Sequence, residues 1–213
     1  IRLLFFHFHG NSPINLRKSF GVEKSINPKG LALMISTYVN IYKITGSTSY
    51  LEKSRILILL LIRIRNKKFK GLSWGYPFPW ETLHRTLERN SPNVVTTAFV
   101  IRSLHDYYEC TGDTNILKLI KFSSNFVKEH LNVYEHDDGF CISYTPVDNY
   151  QVLNASLLAA EILALDSKYN SDKLSRDIAV QCVNFVLKNQ NENGSWNYAT
   201  SHKTGFKMDK GGY

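Results

Sequence analysis

The sequence predicts an all-α fold built from repeated helical hairpins, and three observations carry that expectation. One unit recurs three times: a helix-patterned segment, a short polar turn, a second helix-patterned segment, then a loop with glycine and aromatics. The turns Thr45-Gly46-Ser47, Thr111-Gly112-Asp113 and Tyr169-Asn170-Ser171 alternate with aromatic loops beginning at Gly71, Gly139 and Gly194. The first two turns lie 66 residues apart, and the aromatic loops start 68 and 55 residues apart. No hairpin turn joins alternating apolar runs, which disfavours an all-β chain. In such an array the short turns collect at one end of the helix layer and the aromatic loops at the other.

Six helices follow in order. The first is expected from about Lys29 to Ile44, opened by Asn27-Pro28 and stopped by Gly46. The second, about Ser49 to Asn66, ends before Gly71, and its apolar run Ile56 to Ile62 reads as an inner helix buried on all sides. Pro77, Pro79 and Pro92 then mark a long loop. The third runs from about Val94 to Cys110, stopped by Gly112. The fourth, Asn115 to about Leu131, carries the stripe Ile116, Leu117, Ile120, Phe126 and Val127. Asp137-Asp138-Gly139 is a turn signal, and Phe140 to Thr145 a short extended piece. The fifth helix is expected from about Tyr150 to Leu165 and the sixth from about Lys173 to Asn189, with Ile178, Cys182, Phe185 and Val186 on one stripe.

At 213 residues the chain suffices for one domain, 1–213. It opens on Ile1 with no initiator Met and no small-residue cleavage site, so it is expected to start inside a longer chain. Hydrophobic residues make up 43% and charged residues 21%, the balance of a soluble globular protein. The run Ile56 to Ile62 is too short to span a bilayer, so no transmembrane segment is expected. Cys110, Cys141 and Cys182 are odd in number and widely spaced, which argues against a disulfide framework and for the cytoplasm. The formal charge is +8, with Arg63, Arg65, Lys67, Lys68 and Lys70 in one stretch. Such a patch attracts anionic polymers, but it also suits a helix C-terminus. No nucleic-acid module surrounds it, so nucleic acid is not an expected partner. His7 and His9 form the one close histidine pair; no metal site and no cofactor are expected.

Four motifs carry possible chemistry. Trp74-Gly75-Tyr76-Pro77-Phe78-Pro79-Trp80-Glu81 makes a stiff amphipathic loop whose rings suit the apolar faces of sugars, or else plug the core. Pro92-Asn93-Val94-Val95-Thr96-Thr97 opens the third helix, with Asn93 as a helix cap or a reader of ligand hydroxyls. Phe140 to Pro146, with Tyr144, is followed by Asp148, Tyr150 and Asn154. Gln190 to Trp196 is the sharpest local pattern, and its expected role is structural.

The Gln190 to Trp196 segment resembles the Gln…Gly-x-Trp element of squalene-cyclase-like α/α barrels. There the Gln helps cap a helix, the Gly turns the chain and the Trp packs over the turn. The carboxylate-rich acid motif of a terpene cyclase is not visible, and the zinc ligands of protein prenyltransferases are not recognisable. That segment, with Asn27-Pro28-Lys29-Gly30, Trp74-Gly75-Tyr76, Pro92 to Thr96 and Phe140 to Pro146, is similar to an α/α-toroid family. Its members accompany bacterial and archaeal capsule and lipopolysaccharide synthesis genes, some mislabelled δ-aminolevulinate dehydratase. The resemblance implies an α/α toroid, here an incomplete ring of about three hairpins, related to six-hairpin glycosidases and terpenoid cyclases. It runs from about Asn15 to Phe206. Two positions depart from it: Leu153 stands where a His is expected, and Lys203 interrupts the His-Thr-Gly-Phe segment at His202 to Phe206.

The functional expectation is a glycan-handling protein of surface-polysaccharide synthesis or modification, its partner an oligosaccharide or polysaccharide. As an enzyme it would be a hydrolase, lyase or epimerase; the alternatives are a non-catalytic glycan-binding or assembly protein and a terpenoid-cyclase relative. Candidate acid and base groups are Glu81, His84, Asp138, Asp148 and Tyr150. Candidate substrate-binding residues are Trp74, Tyr76, Trp80, Asn93, Tyr144, Asn154 and Trp196. Three hairpins do not close a ring, so self-association through an open apolar flank is also expected.

Overall fold

The protein is described here by a computed structural model covering residues 13–16, 21, 23–81 and 86–200. Six α-helices form three hairpins: α1 (Pro28–Thr45) with α2 (Ser49–Ile64), α3 (Val94–Thr111) with α4 (Asn115–His130), and α5 (Leu153–Asn170) with α6 (Lys173–Lys188). Each first helix has 18 residues and each second helix 16, so the repeat seen in the sequence is a repeat of structure. Asn27 and Asn93 cap α1 and α3 through their side-chain oxygens, and Asp172 caps α6. All three first helices end on a left-handed residue, Gly46, Gly112 and Ser171, which turns the chain into the second helix.

The hairpins stack in two layers. α3 lies against both helices of the first hairpin, and α5 against both helices of the second. The first helices α1, α3 and α5 therefore run side by side as an inner layer, with α2, α4 and α6 outside. The main core fills the space between layers, with Ile35, Leu61, Ile101, Leu104, Phe126 and Ile162 among its fully buried side chains. Polar ties cross between hairpins: Ser36 donates to Asp106 at 2.7 Å, and Arg102 pairs with Glu161. Buried Asp166 accepts from Ser124 at 2.6 Å, from Ser175 at 2.9 Å and from Lys128 at 3.4 Å, joining α4, α5 and α6. No helix of the described residues is long and apolar enough to cross a membrane.

Three expectations are corrected. The Ile56 to Ile62 run is not an inner helix buried on all sides. It belongs to the outer helix α2 at one end of the array, where Ile58 and Leu61 are buried but Ile56 and Leu59 are 61% and 56% exposed. Among the described residues this end helix has neighbours on one flank only, so half of its continuous apolar run stays open. The fifth helix starts at Leu153, not Tyr150, because Asp148 holds the Tyr150 amide in a turn and Val152 bridges Ala199. It continues to Asn170, where Ser171 takes the left-handed cap at φ 57.

Short antiparallel ladders also exist where no hairpin was expected: β1 (Trp80–Glu81) with β2 (Thr86–Leu87), and β3 (Val133–His136) with β4 (Gly139–Ile142). Asp137-Asp138 is the two-residue link of the second. Its β3 strand is too polar and short to register as an alternating run. This hairpin folds outward onto α6: His136 stacks on Phe185 at 4.6 Å, and a side chain at Gly139 would meet the Gln181 carbonyl at 2.3 Å.

Candidate functional site

Hydrogen bonds tie the three long loops to the N-termini of the inner helices. Asn93 N donates to Trp74 O at 3.0 Å, and Val94 N to Tyr144 O at 3.0 Å, so the first two loops meet at the start of α3. Leu153 N donates to Tyr198 O at 3.3 Å, which sets the third loop at the start of α5. The aromatic loops thus share one end of the array, as the alternation of turns and loops requires.

On that end four rings form a continuous run. Tyr76 stacks on Phe78 with centroids 5.5 Å apart and planes at 11°. Trp80 meets Tyr76 edge-on at 5.8 Å and Tyr144 at 5.6 Å. Pro77 and Pro79 alternate with these rings and limit the backbone freedom of the segment. Phe78 is 47% exposed and Tyr76, Trp80 and Tyr144 are half-buried, so the run packs underneath and faces solvent above. Burial, with the hydrogen-bonded hydroxyl of Tyr76 beside it, pushes the Tyr144 phenol far above its ordinary value. Tyr144 therefore keeps its proton at neutral pH. Phe78 was not singled out from sequence, although the i, i+2, i+4 spacing of Tyr76, Phe78 and Trp80 held the signal.

Other predicted residues are drawn into the fold. Trp74 is 1% exposed and its indole donates to the Leu61 carbonyl at 2.8 Å, so it is a core residue out of ligand reach. Asn93 is fully buried and its side-chain oxygen accepts from Thr96 N at 2.7 Å: it is a cap, away from any ligand hydroxyl. Its Nδ2, with Ser73 Oγ and Thr96 Oγ1, is a buried polar atom without a partner. Asp148 is buried too. One carboxylate oxygen accepts from Thr145 N and Oγ1, both at 2.6 Å, and the other from Tyr144 N at 3.3 Å and Tyr150 N at 3.1 Å. Burial raises its pKa, against the pull of these bonds. With both oxygens engaged, Asp148 organises the loop behind Tyr144.

Trp196 and Gln190 behave as a structural pair: Gln190 Nε2 donates to Gly194 O at 2.8 Å, and the Trp196 indole to Val186 O at 2.8 Å. Glu81 is exposed on β1 beside Trp80, Tyr150 is half-buried, and Asn154 is exposed in the first turn of α5. Asp138 sits on the outward-folded hairpin beside α6, so it is not brought to the ring run. His84 and the His202 to Phe206 segment lie outside the described residues. Leu153 packs with Cys141, Phe185 and Val186 in a small apolar cluster, where an imidazole would lose its polar partners. Beside Tyr144 a cleft of about 330 Å³ opens between Asn66, Lys68, Phe69, residues 86–92 and residues 145–147; Lys68, Glu88 and Arg89 line it, and Arg89 pairs with Glu23.

No family model matches the sequence, and no curated protein matches it. Among solved structures, the cellobiose 2-epimerase of Spirochaeta thermophila DSM 6192 superposes with a TM-score of 0.60 at 12% identity, covering 81% of this chain and 48% of that one. A sugar epimerase from a ruminal bacterium gives 0.54 at 17% identity, covering 81% and 46%. An inactive variant of an α-1,6-mannanase of Salegentibacter sp. HEL1_6, in complex with α-1,6-mannotriose, gives 0.51 at 15% identity, covering 79% and 49%. The fold is an α/α toroid. These neighbours are six-hairpin glycosidase-like toroids, and the chain spans about half the length of each.

Proposed function

We propose that this chain is a glycan-binding half-toroid whose aromatic end holds an oligosaccharide or polysaccharide segment. One observation carries the reading: Tyr76, Phe78, Trp80 and Tyr144 form an unbroken, partly exposed ring run at the end where all three long loops meet. Rings so placed stack on the apolar faces of sugars, while the Tyr144 hydroxyl and Glu81 offer polar groups nearby. The excess of 26 Lys and Arg over 18 Asp and Glu favours an anionic chain. The motif resemblance to proteins of capsule and lipopolysaccharide synthesis suggests such a polymer as the ligand, in a cytoplasmic setting.

Binding is preferred to catalysis on the disposition of Asp138 and Asp148, which leaves Glu81 as the carboxylate beside the rings. Asp148 is bound on both oxygens within its own loop, Asp138 lies by the outer helix α6, and Leu153 fills the place of the expected His. Among the described residues these groups form no acid–base pair over the rings. The test is a tryptophan-fluorescence titration with mannotriose, cellotriose and a uronate-containing oligosaccharide. Saturable binding, tightest for the uronate and lost in Trp80→Ala at unchanged melting temperature, is expected. Absence of binding to all three by a folded chain overturns the proposal. Rapid cleavage or epimerisation of any of them would replace binding by catalysis.

A further inference from the structure

The cleft beside Tyr144 shares its supports with the ring run. Asn66, just past α2, donates from Nδ2 to Asn90 O at 3.0 Å, and its Oδ1 accepts from Lys68 N at 2.8 Å and Phe69 N at 3.3 Å. Asn90 N donates to Tyr76 O at 2.7 Å, and Gly75 bridges Pro92. On the opposite wall Thr145, next to Tyr144, gives its hydroxyl to Asp148 at 2.6 Å. The hydrogen bonds that place Tyr76 and Tyr144 therefore place the walls of the cleft as well, so the cleft is preformed.

Its lining grades from apolar to polar. Leu87 and Pro92 are buried, and Phe69 is half-buried, held edge-on by Phe126 at 6.2 Å and by His130 at 5.2 Å. Thr86 and Asn90 are exposed and Ser91 half-buried. Apolar surface with a few polar groups around it is the usual make-up of a small-ligand site, and about 330 Å³ lies at the lower end of the size range. The charges nearly cancel. Arg89 is paired with Glu23 at 3.2 Å, and Lys68 and Glu88, with no ion pair among the described residues, leave one charge of each sign.

Asn90 is the feature that points to a ligand. Among the described residues only Asn90, at φ 62, and Ser171 hold a left-handed backbone without being glycine, and Ser171 caps a helix. Asn90 caps none. Its main-chain N–H and C=O are both bonded, to Tyr76 and Asn66, while its exposed side-chain amide has no hydrogen-bond partner among the described residues. An unusual backbone thus holds an unspent donor and acceptor on the cleft wall.

We propose that this cleft is a second sugar subsite, which takes one uncharged pyranose unit next to the unit stacked on Trp80 and Tyr144, with Asn90 reading its hydroxyls. The inference rests on the glycan reading of the ring run and adds two things to it. Full affinity needs more than one sugar unit, and the unit in the cleft carries no carboxylate, wherever charge lies along the rest of the chain.

Amide NMR spectra of the wild-type chain test this with methyl α-mannoside and α-1,6-mannotriose, and with methyl β-glucoside and cellotriose. The methyl glycosides are expected to shift only the ring loops. A trisaccharide is expected to shift Lys68, Asn90 and Val147 in addition, and to bind several-fold tighter. Trigalacturonate, charged on every unit, is expected to shift the ring loops and not the cleft. Asn90→Gly keeps the left-handed backbone and removes the amide; it is expected to weaken trisaccharide binding about fivefold and to leave the methyl glycoside unchanged. Val147→Arg fills the cleft from an exposed position and is expected to reduce the trisaccharide to the affinity of the methyl glycoside. Equal affinity of methyl glycoside and trisaccharide for the wild type overturns the proposal, as do silent cleft amides, cleft shifts with trigalacturonate, or a gain with chain length that survives both variants. Methyl glycoside binding that is lost in Trp80→Ala, with no gain from the longer chain, overturns the subsite and leaves the glycan reading standing. Binding of no sugar overturns both.

Discussion

Replacing Trp74 separates a core role from a sugar-stacking role. Its indole fills the space between α2 and the start of α3, and its N–H satisfies the Leu61 carbonyl in the last turn of α2. Trp74→Ala removes a fully buried ring, which costs about 3–5 kcal/mol in a core that does not collapse. It also strands a buried carbonyl, at about 1–3 kcal/mol when no water reaches it. The two overlap, so the expected loss is about 4–6 kcal/mol, a large part of the roughly 5–15 kcal/mol that holds a domain. At about 2–4 °C per kcal/mol for a chain of this size, the melting temperature falls by roughly 10–20 °C. Trp74→Phe keeps most of the packing and loses the hydrogen bond, so it falls between wild type and Trp74→Ala. Thermal unfolding followed by far-ultraviolet circular dichroism reads both variants. A Trp74→Ala chain that melts within a few degrees of wild type while losing glycan affinity would refute the core assignment.

Trp80→Ala should do the reverse: about fivefold weaker glycan binding, the loss of roughly 1 kcal/mol of stacking, with little change in melting temperature. Gly139→Ala should lower stability by about 2–4 kcal/mol, because its φ of +131 is strained for any side chain and the new methyl meets the Gln181 carbonyl at 2.3 Å; denaturant titration checks this, and a neutral variant would place the hairpin off α6. Lys128, 2.7 Å away, holds the Asp172 carboxyl below its ordinary value, so that pair stabilises the fold above the unfolded carboxylate pKa and is lost as pH falls through the folded value. Asp172→Asn keeps the α6 cap and loses the charge; it should be about 1 kcal/mol less stable at pH 7, with the gap to wild type closing in acid melts. Burial pushes the Cys141 and Cys182 thiols up to about 12 and about 11, so in native protein at pH 8 a thiol reagent should label Cys110 first; fast labelling of all three would contradict the burial.

The repeat was legible in the sequence because it is written in local terms. Caps and turn glycines act within a few residues, so Asn27, Gly46, Asn93 and Gly112 mark helix ends without help from the rest of the chain. The 3.6-residue stripes of α4 and α6 likewise name the faces that are buried. The alternation of short turns and long loops then fixes which loops meet. The ring motif was legible as composition: aromatic residues spaced by prolines announce a stiff loop and gave Tyr76 and Trp80 as candidates, while Tyr144 came from the separate Phe140 to Pro146 segment.

The fate of each side chain on that loop was decided elsewhere. Trp74 turned inward because the Leu61 carbonyl, thirteen residues earlier, offered its indole a buried partner, and Asp148 was taken up by three amides and a hydroxyl of its own turn. The sequence marks Asp137-Asp138 as a turn, but only the packing of Gly139 against α6 sends it away from the rings. The apolar run of α2 shows the same division. Its composition determines that it buries a face, but how much of it stays open depends on how many hairpins stand beside it, because burial is a property of neighbours and not of the segment that is buried.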